Sequence, residues 1–161
     1  MALTNFPDGV SSFGLPVVGS GSLPIASQYY FVHSGRGSDA NEGSFDNPFG
    51  TIDFAIGKCT ANRGDVVVVL AGHAETLVAA GGITADIAGV SIIGCGNGAD
   101  RPEITFGTAT TASCLITAAS VSIRNIVGIA GIDALTNPFH VQAANCSLDI
   151  EWQDGSSTVE A

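Results

Sequence analysis

One phrase is written three times in this chain, and its spacing constrains the fold more than any other feature. The copies are ITADIAGVSII from Ile83, CLITAASVSIRNI from Cys114 and FHVQAANCSLDI from Phe139. In each, the first residue is followed seven positions later by Val90, Val121 or Cys146, then by Ser91, Ser122 or Ser147, then by Ile92, Ile123 or Leu148. The copies begin 31 and then 25 residues apart, a period at which a short supersecondary unit repeats with loops of variable length between its strands.

Within VSIIG and VSIRN the residues alternate apolar, polar, apolar, so a strand would turn Val and Ile to one side and Ser to the other. Stacking the copies then aligns aliphatic ladders, and Val90, Ile92, Val121, Ile123, Cys146 and Leu148 are the predicted core ladder. One unit cannot bury its own apolar face, so about three are needed for a stable stack. The segment VVVVL at 66–70 reads as an earlier strand whose partner phrase is missing, and EITF at 103–106 as a third side in the unit with the longest spacing. The expected fold is all-β, a short parallel β-helix.

The composition suits many short strands and tight turns better than a helical bundle. Of 161 residues, 45% are hydrophobic, 12% are charged and 21 are glycine. Fifteen acidic against five basic residues give a net charge of −10, which disfavours nucleic acid and anionic membrane surfaces as partners. No apolar run is long enough to span a bilayer, and MALTNFPDG lacks the basic and apolar regions of a signal peptide, so a soluble intracellular product is expected. Cys59, Cys95, Cys114 and Cys146 form no C-x-x-C pair and have no histidine at zinc-ligand spacing; they read as free thiols, with Cys114 and Cys146 as small core residues. No cofactor and no metal site is expected.

The first 28 residues read differently from the rest. NFPDGVSSFGLPVVGSGSLPIAS has prolines at 7, 16 and 24 and no regular apolar period, which favours an extended arm. Phe6, Phe13, Leu15 and Val17 have nothing in their own segment to bury against, and are the expected docking anchors of that arm. After it, a single domain is predicted over 29–161: a capping segment at 29–65, repeat units at 66–150 and a tail at 151–161. Thr51 precedes Ile52, Ala55, Ile56 and Cys59, a helical spacing that would lay one apolar face over the first open strand edges.

The block from Tyr29 onward also carries a resemblance. Its strand, the loop with Gly37, Ser38, Asp39, Asn41 and Gly43, the helix start from Pro48 to Ile52, the segment Gly64 to Leu70 and the turn with Gly72 and Glu75 resemble the opening of right-handed parallel β-helix proteins of the pectate-lyase-like superfamily. The resemblance implies a right-handed coil, and it raises the question of a lyase or glycosidase. Those enzymes need a calcium-clamped substrate with a basic residue, or paired carboxylates on adjacent strands. Here Asp86 is matched by Thr117 in the next copy and Asp149 by Arg124, which reads as a ladder ion pair. The acids Asp39, Asn41's neighbour Glu42, and Asp46 lack the ligand series of an EF-hand and read as loop-holding turns. His33, His73 and His140 share no strand register and read as surface or turn residues. No catalytic residue is assigned, and the chain is expected not to be an enzyme.

The extreme N-terminus narrows the reading further. TNFPDGVSSFGLPV, followed by a G-S-G stretch and FVHSGRGSD, resembles tailed-bacteriophage proteins that decorate or cement the capsid with a small β-helix behind an extended arm. That resemblance implies a virion structural protein on the outer capsid surface, made in the host cytoplasm. Its implied partners are the major capsid protein, reached through Phe6, Phe13, Leu15 and Val17, and further copies of itself, as a homotrimer. The alternatives are a host-glycan-binding adhesin of tail-spike type, which calls for exposed aromatics on a strand face, and a polysaccharide lyase.

Overall fold

The computed structural model describes residues 27–156 and the backbone of two short strands before them, β1 (Ser11–Ser12) and β2 (Leu15–Pro16), which pair antiparallel. The remaining strands are β3 (Tyr29–Val32), β4 (Val66–Val69), β5 (Ala74–Leu77), β6 (Ile83–Ala85), β7 (Ser91–Gly94), β8 (Glu103–Phe106), β9 (Cys114–Ile116), β10 (Ser122–Ala130), β11 (Phe139–Val141) and β12 (Ser147–Asp154). The only α-helix among the described residues, α1 (Ile52–Ile56), is five residues long. The protein is therefore mostly β, and apart from β1 and β2 every strand pair is parallel.

Two parallel sheets share the strands. One has seven strands in the order β3-β4-β7-β10-β8-β5, with β12 added to β10; the other has three, in the order β11-β9-β6, and neither closes into a barrel. The three copies of the repeated phrase meet in register in both. Cys114 on β9 stands between Ile83 on β6 and Phe139 on β11. Ser91, Ser122 and Ser147 align across β7, β10 and β12, as do Ile92, Ile123 and Leu148. The backbone ladder continues through the preceding residues, with Ser91 N–H donating to Asp65 O, Ser122 N–H to Val90 O and Ser147 N–H to Val121 O.

Alternation decides which residues meet inside. Val90, Ile92, Val121 and Ile123 are at most 2% exposed, while Ser91 and Ser122 lie outside with their hydroxyls 3.0 Å apart. Each buried Val or Ile contributes about 1.5–3 kcal/mol relative to an exposed one, so these ladders dominate stability. The turn before each ladder residue is built from a left-handed residue: Gly64, Gly89, Ser120 and Asn145 all have φ between 59° and 79°. The sequence spends glycine there twice and tolerates Asn and Ser in the other two places.

The strand at EITF has more partners than the sequence alone suggests. β5, which the sequence reading passed over as a turn, pairs with β8, and β8 pairs with the second half of β10. β10 pairs β7 with its first residues and β8 with its last, and Asn125, at φ 56°, turns the strand between Arg124 and Ile126. Its side chain donates to Gly94 O and Gly96 O, fixing that corner against the tier before. β12 follows β10 over its full length to Asp154, so the repeat runs four residues past the predicted boundary at 150 and the tail begins later than residue 151.

The helix forms where the sequence places it. Thr51 is the N-cap, accepting from Phe54 N–H, and Ile52, Ala55 and Ile56 are buried. α1 packs on β3, β4 and β6, covering the first strand of each sheet, and Thr84 N–H donates to Asp53 from the edge strand β6. The missing partner phrase before VVVVL is thus replaced by a helix, which closes this end without offering another strand edge.

Candidate functional site

The two ends of the strand stack carry the polar and apolar groups that the repeat does not explain. At the α1 end the buried ladder position equivalent to Val90 is Asp65, whose side chain is fully buried. An unpaired charge there would be prohibitive. It is satisfied by four hydrogen bonds: Arg63 donates through Nε and Nη2 at 2.7 and 2.6 Å, Gln28 N–H at 2.8 Å and Thr60 N–H at 2.8 Å. Burial opposes ionisation of this carboxyl, but Arg63 and the two backbone donors outweigh it and hold the pKa below the ordinary carboxylate value. Ser27 Oγ donates to Arg63 O in the same cluster, so Asp65 and Arg63 fix the root of the N-terminal segment.

A second polar cluster lies at the other end of β4 and of α1. His73 is 1% exposed, a correction to its reading as a surface or turn residue. Its Nδ1 accepts from Ser34 N–H at 3.0 Å, so the ring proton resides on Nε2 and faces Glu75 Oε2 at 3.2 Å. The same Glu75 oxygen accepts from Ile52 N–H at the start of α1. A histidine oriented by a carboxylate beside a serine suggests a catalytic triad, but the geometry is otherwise engaged. Ser34 Oγ accepts from Ala74 N–H, no hydrogen bond joins it to the ring, and the ring has no exposed edge for a substrate. The cluster ties the 33–35 turn, β5 and α1 together. His33 Nδ1 likewise accepts from Gly35 and Arg36 N–H groups, capping its own turn.

The acidic loop is held internally. Asp39 accepts from Gly50 N–H, Thr51 N–H and Thr51 Oγ1, Asn41 donates to Pro48 O, and Glu42 accepts from Ser44 and Asn47. Among the described residues no three His, Cys, Asp or Glu side chains converge as metal ligands. Arg124 and Asp149 do stand in register, yet no ion pair joins them. The contact made instead is Arg101 Nη2 to Glu151 at 2.5 Å; the hydrogen bond from Gln153, and then that from Arg101, hold the Glu151 carboxyl below its usual pKa. Spacing could not reveal this pair, because Arg101 reaches β12 from the loop between β7 and β8.

At the opposite end no helix is present among the described residues, and the same ladders are less covered there. Ile123 is 2% exposed, but Leu148 beside it is half-buried; Cys114 is 1% exposed, but its neighbour Phe139 is half-buried. Ile116 is fully buried, whereas Val141 is 42% exposed. Cys146, predicted as buried core, is only half-buried for the same reason. Burial pushes the thiols of Cys59 and Cys114 up to about 12.

Trp152 is the largest group at this end and is 44% exposed. It is not a loose side chain. Its ring packs at 5.6 Å on Phe106 and 6.2 Å on Phe139, and it lies over Gly128, where a Cβ would come within 2.8 Å of it. An open depression of about 390 Å³ adjoins it, lined by Asp133, Leu135, Pro138, Trp152, Asp154 and Ser156 with small apolar residues.

Phe6, Phe13 and Val17 fall outside the described residues, as does the side chain of Leu15. No helix among the described residues is long and apolar enough to cross a membrane. No protein family, curated protein or solved structure matches this chain.

Proposed function

We propose that the stacked strands are the faces of one short right-handed parallel β-helix, and that the protein decorates and cements a bacteriophage capsid. The observation that carries this reading is the arm root. Gln28 and Ser27 are bonded to Asp65 and Arg63 at the α1 end, which supports a reading in which the proline-interrupted, nearly uncharged sequence before them serves as an arm anchored to an acidic body. Such an arm reaches along a shell while the body stays soluble above it. In this reading Phe6, Phe13, Leu15 and Val17 occupy apolar clefts of the major capsid protein.

Self-association belongs to the flank. Phe31, Val68 and Ile93 stand in register across β3, β4 and β7 on the outer face, and Ile93 is 36% exposed. Three copies packed through this stripe would form the homotrimer. Cosedimentation with undecorated shells tests the proposal: the full chain binds saturably, and a form lacking residues 1–26, which keeps Gln28 on Asp65, stays in the supernatant. Shell binding that survives the deletion would refute the arm's role. The trimer is checked by sedimentation equilibrium, in which Ile93→Lys should shift the mass to that of a monomer.

A further inference from the structure

We propose that the depression beside Trp152 is a binding site for a neutral saccharide. Sugar rings are recognised by an aromatic face against their C–H side and by fixed polar groups at their hydroxyls, and both are present here. Trp152 supplies the face. Phe106, Phe139 and Gly128 support the ring from beneath, while 44% of the residue remains open. A platform held this way loses little freedom when a ligand stacks on it.

The polar groups are pre-set as well. Asp154 Oδ1 accepts from Ser156 N–H at 2.9 Å and from Ser156 Oγ at 2.7 Å, which orients the carboxylate. Its Oδ2 receives no hydrogen bond from the described residues, leaving one charged acceptor for a sugar hydroxyl. Asp133 stands on the same rim, and Leu135 and Pro138 line the apolar side. The Asp154 carboxylate, on a chain of net charge −10, rejects uronates, sialic acids and phosphorylated sugars, so the ligand class is an uncharged hexose or N-acetylhexosamine. A depression of about 390 Å³ seats one or two such rings.

The placement extends the proposed function without depending on it. The arm root lies at the α1 end and Trp152 at the other, so a body held to a shell by its arm would present this depression outward. Sugar binding itself is measured on the isolated full-length chain, and it stands or falls separately from cosedimentation with shells.

Trp152 is the only tryptophan, so its emission reports the site directly. Glucose, galactose, mannose and N-acetylglucosamine are titrated in turn. The expected result is a saturable change with at least one of them, with half-saturation in the millimolar range of a single shallow subsite. Asp154→Asn should weaken it by about tenfold through loss of a charge-assisted bond, whereas Asp149→Asn, outside the depression, should leave it unchanged. Flat titrations with all four sugars would overturn the proposal, as would an undiminished response in Asp154→Asn. Emission that shifts to the blue with protein concentration, without sugar, would show a second copy seated on Trp152 and would overturn it equally.

Discussion

The two ends of this molecule receive the same repeated ladders and finish them in opposite ways. At one end a five-residue helix lies over β3 and β6, and Ile52, Ala55 and Ile56 take the place of a further strand. At the other, Leu148, Phe139 and Cys146 follow Ile123, Cys114 and Val121 and are left half-buried. The contrast teaches that the repeat specifies register and inward direction but not depth. Depth comes from whatever lies on the next tier.

Placing a charge in the same ladder at two depths gives the largest expected difference. Val121→Asp should cost about 4 kcal/mol or more, because a carboxylate enters a fully buried slot without a partner. Cys146→Asp, one tier on, should cost about 1 kcal/mol, since the side chain can reach water. Urea unfolding followed by far-UV circular dichroism separates the two; equal losses would break the comparison.

Asp65 shows what a charge in that ladder requires. Asp65→Ala strips Arg63, Gln28 and Thr60 of their acceptor and should cost about 3 kcal/mol. The effect depends on pH with a definite sign. The folded pKa of Asp65 is depressed, so its stabilisation is present above the unfolded carboxylate value of about 4 and disappears as the pH falls through the lower folded value. Melting temperatures recorded from pH 7 to pH 2 should therefore drop for the native chain over that acid range, and less for Asp65→Ala.

Gly128→Ala probes the open end. The added Cβ meets Trp152 and Phe139 at 2.8 and 2.9 Å, so the indole must move, at a cost of about 1–2 kcal/mol and with a red shift of its emission. An unchanged spectrum would mean that the ring is not held as described. The smallest effect is chemical. Under native conditions iodoacetamide should modify Cys146 and Cys95 before Cys59 and Cys114, whose thiols are pushed up to about 12 by burial. Mass spectrometry of the alkylated peptides reads the order.

Much of the strand order was legible because it is written as spacing. The seven-residue offset aligned Ile83 with Cys114 and Phe139, and Ile92 with Ile123 and Leu148, and the Thr51 cap announced α1. What escaped was carried by single residues acting across distance. β5 reads as a turn because Ala74, Glu75 and Thr76 are half-exposed or exposed, and only Leu77 is buried. His73 looks like a turn residue because nothing in the sequence says that Ser34 and Glu75 converge on it. Asp65 follows Gly64 as Val90 follows Gly89, but a carboxylate in an apolar ladder is improbable until its four donors are seen. The open end was not legible, because nothing in the sequence says that Trp152 comes to rest on Gly128, Phe106 and Phe139.

The corner between β7 and β8 contains residues 95–102 with a 3₁₀ turn at Gly98–Asp100, whereas the corresponding corner in the next tier is made by Asn125 alone. Two neighbouring tiers thus accept very different lengths of chain at the same place while their strands keep a common register. Foreign peptides spliced in near Gly98 should therefore be carried on the outside without disturbing the strands beneath, which would make this small protein a platform for presenting sequences of choice.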